Sequence, residues 1–276
     1  MQQAPIAKKV KKVLEIHDDQ RIDNYFWMRL SDEQKEAEQP DQQTQDVLDY
    51  LHAENDYRKH VMKPTEKLQK TIYDEIIGRI KQDDSSVPVT VNGYSYYTRF
   101  GKGQDYPYYC REKAEDNAKE EVMLDVPTMA EGYTYYAIGG RSVSENNKIL
   151  AYAVDTVSRR EYTLYFKNLE TGEILSDKIE NTTGGITWAN DKQTVFYVKK
   201  NPKTLRAYQI FKHRLGTDTS DDELVYEEKD ETFSCWISKT KSRQYLMIGA
   251  SQTLSTEYRF LDANKPDGKW QVVHPR

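Results

Sequence analysis

Residues 184–199, GGITWANDKQTVFYVK, predict a β-hairpin, and other parts of the chain repeat its pattern. Residues 194–198 (TVFYV) are β-branched and aromatic, the types that strands favour. Ile186 and Trp188 have the alternate spacing of a preceding strand. Asn190 and Asp191 bond to nearby backbone and tolerate left-handed geometry, so we expect a tight turn over residues 190–192.

Two further copies of this unit flank the first, at residues 142–154 and 235–248. Successive copies lie about 45 residues apart, which is a period typical of β-propeller blades. From Ser85 onward, apolar and polar residues alternate, and Asn92-Gly93 predicts a hairpin turn of the first blade. We predict a mainly β fold of about four blades, with no helix interrupting the strands. Gly101–Gly103 and Gly184-Gly185 are interpreted as turn glycines.

The first 80 residues have a different pattern. Apolar residues between Val47 and Val61 share one helical face, and Pro64 is expected to end that helix. Thr65 is predicted to cap a second helix. Its apolar stripe consists of Leu68, Ile72, Ile76 and Ile80. We therefore divide the chain into a helical extension, residues 1–80, and a partial propeller, residues 81–276.

The number of blades suggests that the chain continues elsewhere. Propellers close with about four to eight blades. An open arc of about four would leave strand edges unpaired, which is an aggregation hazard. We expect these residues to be the front part of a longer protein.

Composition excludes several classes of function. The 276 residues carry a net charge of −5 and have a pI of about 5.7, which disfavours nucleic-acid binding. No run is long enough to cross a membrane, and the N-terminus lacks the apolar core of a signal peptide. We therefore expect a cytoplasmic protein, or a periplasmic one if a signal peptide has been removed. Cys110 and Cys235 are predicted to be buried free thiols.

Residues 17–29, HDDQRIDNYFWMR, carry the most specific motif. They resemble the N-terminal signature of the prolyl oligopeptidase family of serine peptidases, Arg-x-Asp-x-Tyr-x-Trp-Leu-Arg. The residues that match, with a preceding histidine, are His17, Arg21, Asp23, Tyr25, Trp27 and Arg29. Met28 replaces the usual Leu, Asp18 stands where Gly is usual, and Leu30 where an acid is common.

The resemblance is closest to the oligopeptidase B (protease II) branch and extends over essentially the whole chain. Segments that carry it include residues 47–51, 92–94, 158–160, 168–172, 188–191 and 226–230. It implies a seven-bladed propeller followed by a C-terminal α/β-hydrolase domain, on which the helical extension packs. The propeller would act as a lid and size filter for an enzyme that cleaves short peptides after Arg or Lys.

The catalytic residues of that family are not found in this sequence. An α/β-hydrolase nucleophile sits in Gly-x-Ser-x-Gly, and the nearest string, residues 140–144 (GRSVS), lacks the second Gly and resembles a propeller strand. None of the five histidines is paired in sequence with a candidate serine. We expect no acyl transfer by this chain alone.

Arg159 and Arg160 are the candidate contact residues. They lie between two predicted strands, where they form either a solvated turn or a contact with substrate or with the hydrolase domain. The signature residues are interpreted as structural, with an ion pair between Arg21 and Asp23 and with Tyr25 and Trp27 as anchors. Acidic runs at residues 218–223 and 227–231 are interpreted as solvated loops that can attract basic peptides.

Two other functions remain open at this level. The chain can be a stand-alone binding module, which requires a protein of this length that folds cooperatively. A propeller glycosidase needs two converging carboxylates, which the sequence does not locate. No cluster has metal-ligand spacing, so neither a metal nor another cofactor is expected.

Overall fold

The computed structural model describes residues 3–276, which divide into two compact units, one ending at Lys81 and the other beginning at Gln82. The first unit has a hairpin and then helices. Its elements are β1 (Lys12–Ile16), β2 (Asp19–Asp23), a 3-10 turn (Phe26–Met28), α1 (Asp32–Glu36), α2 (Gln42–Met62), a 3-10 turn (Lys63–Thr65) and α3 (Glu66–Gly78). The hairpin of β1 and β2 is not among the predicted elements, because residues 17–29 are interpreted only as a family signature.

Side-chain caps start two of these helices. The Asp41 carboxylate accepts the Thr44 N–H at 2.7 Å at the start of α2. Ser31 and Gln34 form a reciprocal capping box on α1. The cap predicted at Thr65 is wrong, since its hydroxyl donates to the Met62 carbonyl at 2.6 Å and the backbone is already helical there.

The second unit is built from antiparallel strands. They are β3 (Val89–Val91), β4 (Tyr94–Arg99), β5 (Tyr108–Lys113), β6 (Glu121–Asp125), β7 (Ala137–Val143), β8 (Ile149–Asp155), β9 (Tyr162–Asn168), β10 (Ile174–Trp188), β11 (Thr194–Lys200), β12 (Ala207–Arg214), β13 (Glu223–Glu227), β14 (Ser234–Lys239), β15 (Tyr245–Ser251), β16 (Thr256–Asp262) and β17 (Gln271–His274). The sheets are β3–β6, β7–β13 and β14–β17.

The long strand β10 belongs to two blades. Its first part, residues 174–182, pairs with β9, and its second part, residues 182–188, pairs with β11. The seven-stranded sheet is therefore two blades joined by one strand. We number the blades 1 (β3–β6), 2 (β7–β9 with 174–182), 3 (182–188 with β11–β13) and 4 (β14–β17). The fold is a partial propeller, as predicted.

Gly184 and Gly185 do not form a turn, which corrects the prediction. They lie inside β10, where the pairing register shifts. Gly184 has φ of +85°, and a Cβ on Gly140 of β7 would overlap the Gly184 carbonyl oxygen. Glycine is needed here because the inner strands of blades 2 and 3 approach each other without room for side chains.

The core consists of three apolar clusters, one between each pair of neighbouring blades. Strand β11 contributes to two of them, because successive side chains point to opposite faces. Val195 and Tyr197 pack toward blade 2, with Phe166 and Trp188. Phe196 on the opposite face packs toward blade 4. The third cluster joins blades 1 and 2. Each blade is thus stabilised by its neighbours.

Some local predictions fail. A short helix, α4 (Val126–Met129), follows β6, capped by Asp125 through the Thr128 N–H at 3.1 Å. The alternation from Ser85 onward predicts a strand that includes Val87, but β3 begins at Val89 and Val87 is exposed. The predictions for Cys110 and Cys235 are confirmed, as both are buried and free. Within residues 3–276, no helix is long and apolar enough to cross a membrane.

Candidate functional site

The inner strands of the four blades surround a cavity of about 700 Å³. Its wall is formed by the inner strands β3, β7, the second part of β10 and β14, and also by residues of β4, β5, β6 and β8, among them Tyr97, Tyr109 and Cys110. Apolar side chains such as Val89, Ile186 and Ile237 line it beside serine and threonine hydroxyls. A space of this size accommodates a small ligand or a short peptide segment.

Charge is unevenly distributed in this cavity. Its charged lining residues are three cations, Arg141, Lys239 and Arg243, and one carboxylate, Glu145. Lys239 and Arg243 share that carboxylate, at 2.6 and 3.1 Å. The wall therefore has an excess of two positive charges.

The turns that follow the inner strands are bonded to one another at one end of the cavity. Asn92 of blade 1 donates to the Glu145 carbonyl at 2.8 Å. Asn190 of blade 3 accepts from Lys239 of blade 4 at 2.9 Å and donates to the Arg243 carbonyl at 3.0 Å. These bonds hold the four turns in one layer.

The loop with Arg159 and Arg160 connects β8 to β9. Because β8 runs back from the turn at residues 144–148, this loop lies at the opposite end of blade 2. Buried Asp155 organises it by accepting the N–H groups of Val157, Ser158 and Arg160 at 2.7–3.0 Å. These bonds hold Ser158 and Arg160 at φ of 65° and 56°.

The guanidinium groups of Arg159 and Arg160 are not used in holding this loop. Both residues are exposed, and within residues 3–276 neither side chain has a hydrogen-bond or ion-pair partner. Arg160 is bound through its backbone instead, its N–H by the Asp155 carboxylate and its carbonyl by the Lys200 ammonium of blade 3. The backbone of the loop is thus held by hydrogen bonds, and its two guanidinium groups remain available to a partner.

The signature residues lie together in the first unit. His17 and Asp18 form the β1–β2 turn with φ of 51° and 63°, a conformation in which Gly is favoured. Asp18 therefore has a backbone conformation that a glycine adopts without steric cost. Arg21 is in β2, opposite Leu14.

The ion pair predicted between Arg21 and Asp23 is not formed within the described chain. The Asp23 carboxylate accepts the Tyr25 N–H at 2.8 Å instead. Trp27 is held firmly, since its indole N–H donates to the Lys8 carbonyl at 2.9 Å and its own carbonyl accepts from Gln43 at 2.7 Å. Arg29 lies 5.9 Å from the Phe26 ring centroid. The motif thus ties the N-terminal strand region to α2.

A buried charged cluster has no counterpart in the sequence analysis. His213 of β12 is fully buried, and its ring nitrogens lie 2.6 Å from Asp222 and 3.1 Å from Asp177. Burial alone would lower the pKa of His213, but the hydrogen bonds to both carboxylates outweigh it and raise the pKa above 6.5. No local pattern signals this cluster, because its members are 9 and 36 residues apart.

The acidic runs are also not simply solvated loops. Asp222 in the first run accepts the Tyr197 hydroxyl at 2.7 Å as well as facing His213. Glu228 in the second run is 1% exposed and pairs with Arg276 at 2.8 and 2.9 Å. These two carboxylates are therefore structural, which corrects the interpretation for them.

The string nearest to a nucleophile elbow is a propeller strand, as predicted. Gly140 and Ser142 lie in β7. The Ser142 carbonyl accepts the Trp188 indole N–H at 3.0 Å, which joins the inner strands of blades 2 and 3.

The family profile and the sequence relatives that match this chain are all those of peptidases. The profile described as "Prolyl oligopeptidase, N-terminal beta-propeller domain" matches residues 4–276. Dipeptidyl aminopeptidase BI of Pseudoxanthomonas mexicana is 41% identical, over 98% of this chain and 38% of its own length. Protease 2 of Moraxella lacunata is 32% identical, over 99% of this chain and 39% of its own.

The fold comparison agrees with the sequence comparison. Oligopeptidase B from Leishmania major superposes with a TM-score of 0.86 at 30% identity, covering 99% of this chain and 40% of that one. Oligopeptidase B from Trypanosoma brucei, in a closed form with covalently bound antipain, gives 0.84 at 26%, covering 99% of this chain and 39% of that one. The chain spans about two fifths of the length of these relatives. This chain belongs to the prolyl oligopeptidase (S9) family of peptidases and corresponds to its N-terminal β-propeller domain.

Proposed function

We propose that this chain is the gating part of an oligopeptidase B-like serine peptidase that cleaves short peptides after Arg or Lys. The observation that carries the proposal is the central cavity lined by the four inner strands, whose volume of about 700 Å³ suits a short peptide segment rather than a folded protein. In this role the propeller admits short chains to a catalytic domain and excludes globular substrates.

The first unit supports a second domain as its partner. The apolar stripe of α3 is exposed, with Leu68, Ile72 and Ile76 at 59%, 47% and 53%. Relatives are more than twice as long as this chain, so the same polypeptide provides an occupant for such a face. We propose that α3 packs against the α/β-hydrolase domain.

Arg159 and Arg160 support a role at a contact between domains or with substrate. Two exposed guanidinium groups, on a loop whose backbone is held by Asp155, are placed to form bidentate hydrogen bonds with carboxylates. We propose that one of them pairs with a carboxylate of the catalytic domain when the enzyme closes.

The test uses the protein purified from its source and the chain 1–276 side by side. The longer protein should hydrolyse a blocked chromogenic peptide ending in Arg and react with a fluorophosphonate probe, and the chain 1–276 should do neither. An intact native mass near 32.4 kDa would overturn the proposal and favour a stand-alone binding module.

A dipeptidyl aminopeptidase is the second candidate, because the relative with 41% identity carries that name. The two activities differ in their need for a free N-terminus. Rapid cleavage of an unblocked dipeptide substrate, with no cleavage of its N-acetylated form, would favour the second candidate over the first.

A further inference from the structure

We propose that the central cavity binds an anionic peptide segment, with carboxylates held by Arg141 at one point and by Lys239 and Arg243 at another. The inference deepens the proposed function, on which it rests for the nature of the ligand as a peptide. It goes beyond that function by naming the charge that the cavity selects.

Of the three cations that line the cavity, Arg141 is the one whose charge is least compensated by a carboxylate. It lies on β7, facing the cavity, and its guanidinium is 3.6 Å from the centroid of the Tyr109 ring. Stacking on an aromatic face fixes the guanidinium plane but leaves its N–H groups free to donate. Within residues 3–276 no carboxylate pairs with it. A carboxylate of a ligand would supply the missing partner.

Lys239 and Arg243 form the second point. Their ammonium and guanidinium groups share the single carboxylate of Glu145, so one positive charge remains uncompensated there. Lys239 is positioned further by the Asn190 side-chain oxygen at 2.9 Å. The pair is thus held in place before any ligand arrives, which reduces the entropy lost on binding.

The spacing of the two points selects an extended ligand. Arg141 and Glu145 are four residues apart on one strand and the turn that follows it. At the rise of an extended chain this is at most about 13 Å, since Glu145 already lies in the turn, and a peptide of about four residues can span that distance. The apolar residues that line the same cavity, such as Val89, Ile186 and Ile237, suit a backbone with small side chains.

The net charge of the protein and the charge of the cavity wall predict opposite peptide preferences. The whole chain carries −5, so a diffuse electrostatic attraction would favour cationic peptides. Preference for an anionic peptide would therefore have to come from a local site. The cavity is a place where the lining residues have the opposite sign from the chain as a whole.

The experiment is isothermal titration calorimetry of chain 1–276 with three acetylated pentapeptides. The first is Glu-Ala-Ala-Ala-Glu with a free C-terminal carboxylate. The second is Gln-Ala-Ala-Ala-Gln and the third is Lys-Ala-Ala-Ala-Lys, both amidated at the C-terminus. We expect saturable one-to-one binding of the first, at least about tenfold tighter than of the other two. Equal affinities, or tighter binding of the lysine peptide, would overturn the proposal.

Two arginine variants locate the site. Arg141→Gln should lower the affinity for the acidic peptide about fivefold. Arg214→Gln is the matched control, because Arg214 is an exposed arginine of the same unit that does not line the cavity, and it should leave the affinity unchanged. Equal weakening by both variants would refute a local site. Circular dichroism and a thermal melt of each variant establish that it is folded.

None of these titrations requires hydrolysis. A longer protein without peptidase activity would refute the proposed function and leave binding by chain 1–276 intact. Failure of the acidic peptide to bind, with an active longer protein, would refute the cavity site alone.

Discussion

Replacing His213 by asparagine should destabilise the second unit strongly. The ring is fully buried between the side chains of Asp177 and Asp222, which are themselves 4% and 2% exposed. Both ring nitrogens face carboxylate oxygens, so only the protonated ring can donate to both. An asparagine side chain at this position would leave two buried carboxylates without a compensating charge.

The size of the effect follows from that geometry. Removing one partner from a buried ion pair costs about 3–5 kcal/mol, since the remaining charge stays buried. For a unit of this size, such a loss lowers the melting temperature by about 6–20 °C. Urea unfolding followed by tryptophan fluorescence is a suitable assay, because Trp188 packs on Phe166, which stacks on His213.

The pH dependence provides an independent test. The pKa of His213 is raised above 6.5 in the folded state, so the folded protein binds more protons than the unfolded one just above that pH. The free energy that His213 contributes is complete below pH 6.5 and is lost as the pH rises through the folded pKa. The slope is at most about 1.4 kcal/mol per pH unit.

The variant should lack this slope, and a surface histidine provides the control. His52→Asn on α2 replaces an exposed histidine, and it should change the stability by no more than about 0.5 kcal/mol. The reasoning would be refuted if His213→Asn had the melting temperature of the wild type. It would also be refuted if the free energy of unfolding of His213→Asn and of the wild type changed in the same way above pH 6.5.

Three other predictions concern backbone contact, acid stability and the exposed loop. Gly140→Ala should cost about 1–3 kcal/mol because its Cβ would overlap a backbone oxygen, whereas Gly78→Ala, with no atom within 4 Å, should be neutral or stabilising in thermal melts; equal melts would contradict this. Burial alone would raise the pKa of Glu228, but hydrogen bonds, chiefly from Arg276, lower it from 4.5 to about 2. The free energy of unfolding should therefore fall by about 3 kcal/mol as the pH drops through that range. Glu228→Gln should abolish this loss in acid titrations. Arg159→Ala should leave the melting temperature unchanged but reduce kcat/KM of the longer protein for an Arg-ending peptide; a lowered melting temperature would indicate a structural role instead.

Strand patterns in the sequence are informative where a strand is buried on both faces, as β11 is. The β-branched and aromatic run in β11 forms part of two inter-blade clusters, so its composition alone indicates a central strand. Asn92-Gly93 has φ of 52° and 79°, as a hairpin turn of this composition requires. These features depend on neighbours in sequence.

What cannot be predicted depends on contacts between distant segments. Gly184 is predicted to be a turn residue because glycine is common in turns. The sequence alone does not show that Gly140 lies against it in the fold. Asp222 and Glu228 resemble members of solvated runs because their partners come from elsewhere in the chain. The cavity is likewise assembled from four blades, so the excess of positive charge on its wall has no local signature.

The continuous strand β10 makes blades 2 and 3 one mechanical piece. One hydrogen-bonded sheet runs through both blades, because Thr182 pairs with Tyr162 on one side and with Lys199 on the other, whereas blades 1 and 4 join their neighbours through segments 126–136 and 228–233 and belong to separate sheets. Any breathing of the arc should therefore hinge at those two segments. Amide hydrogen exchange should report a shared opening free energy for β8 and β11, separate from those of β4 and β15.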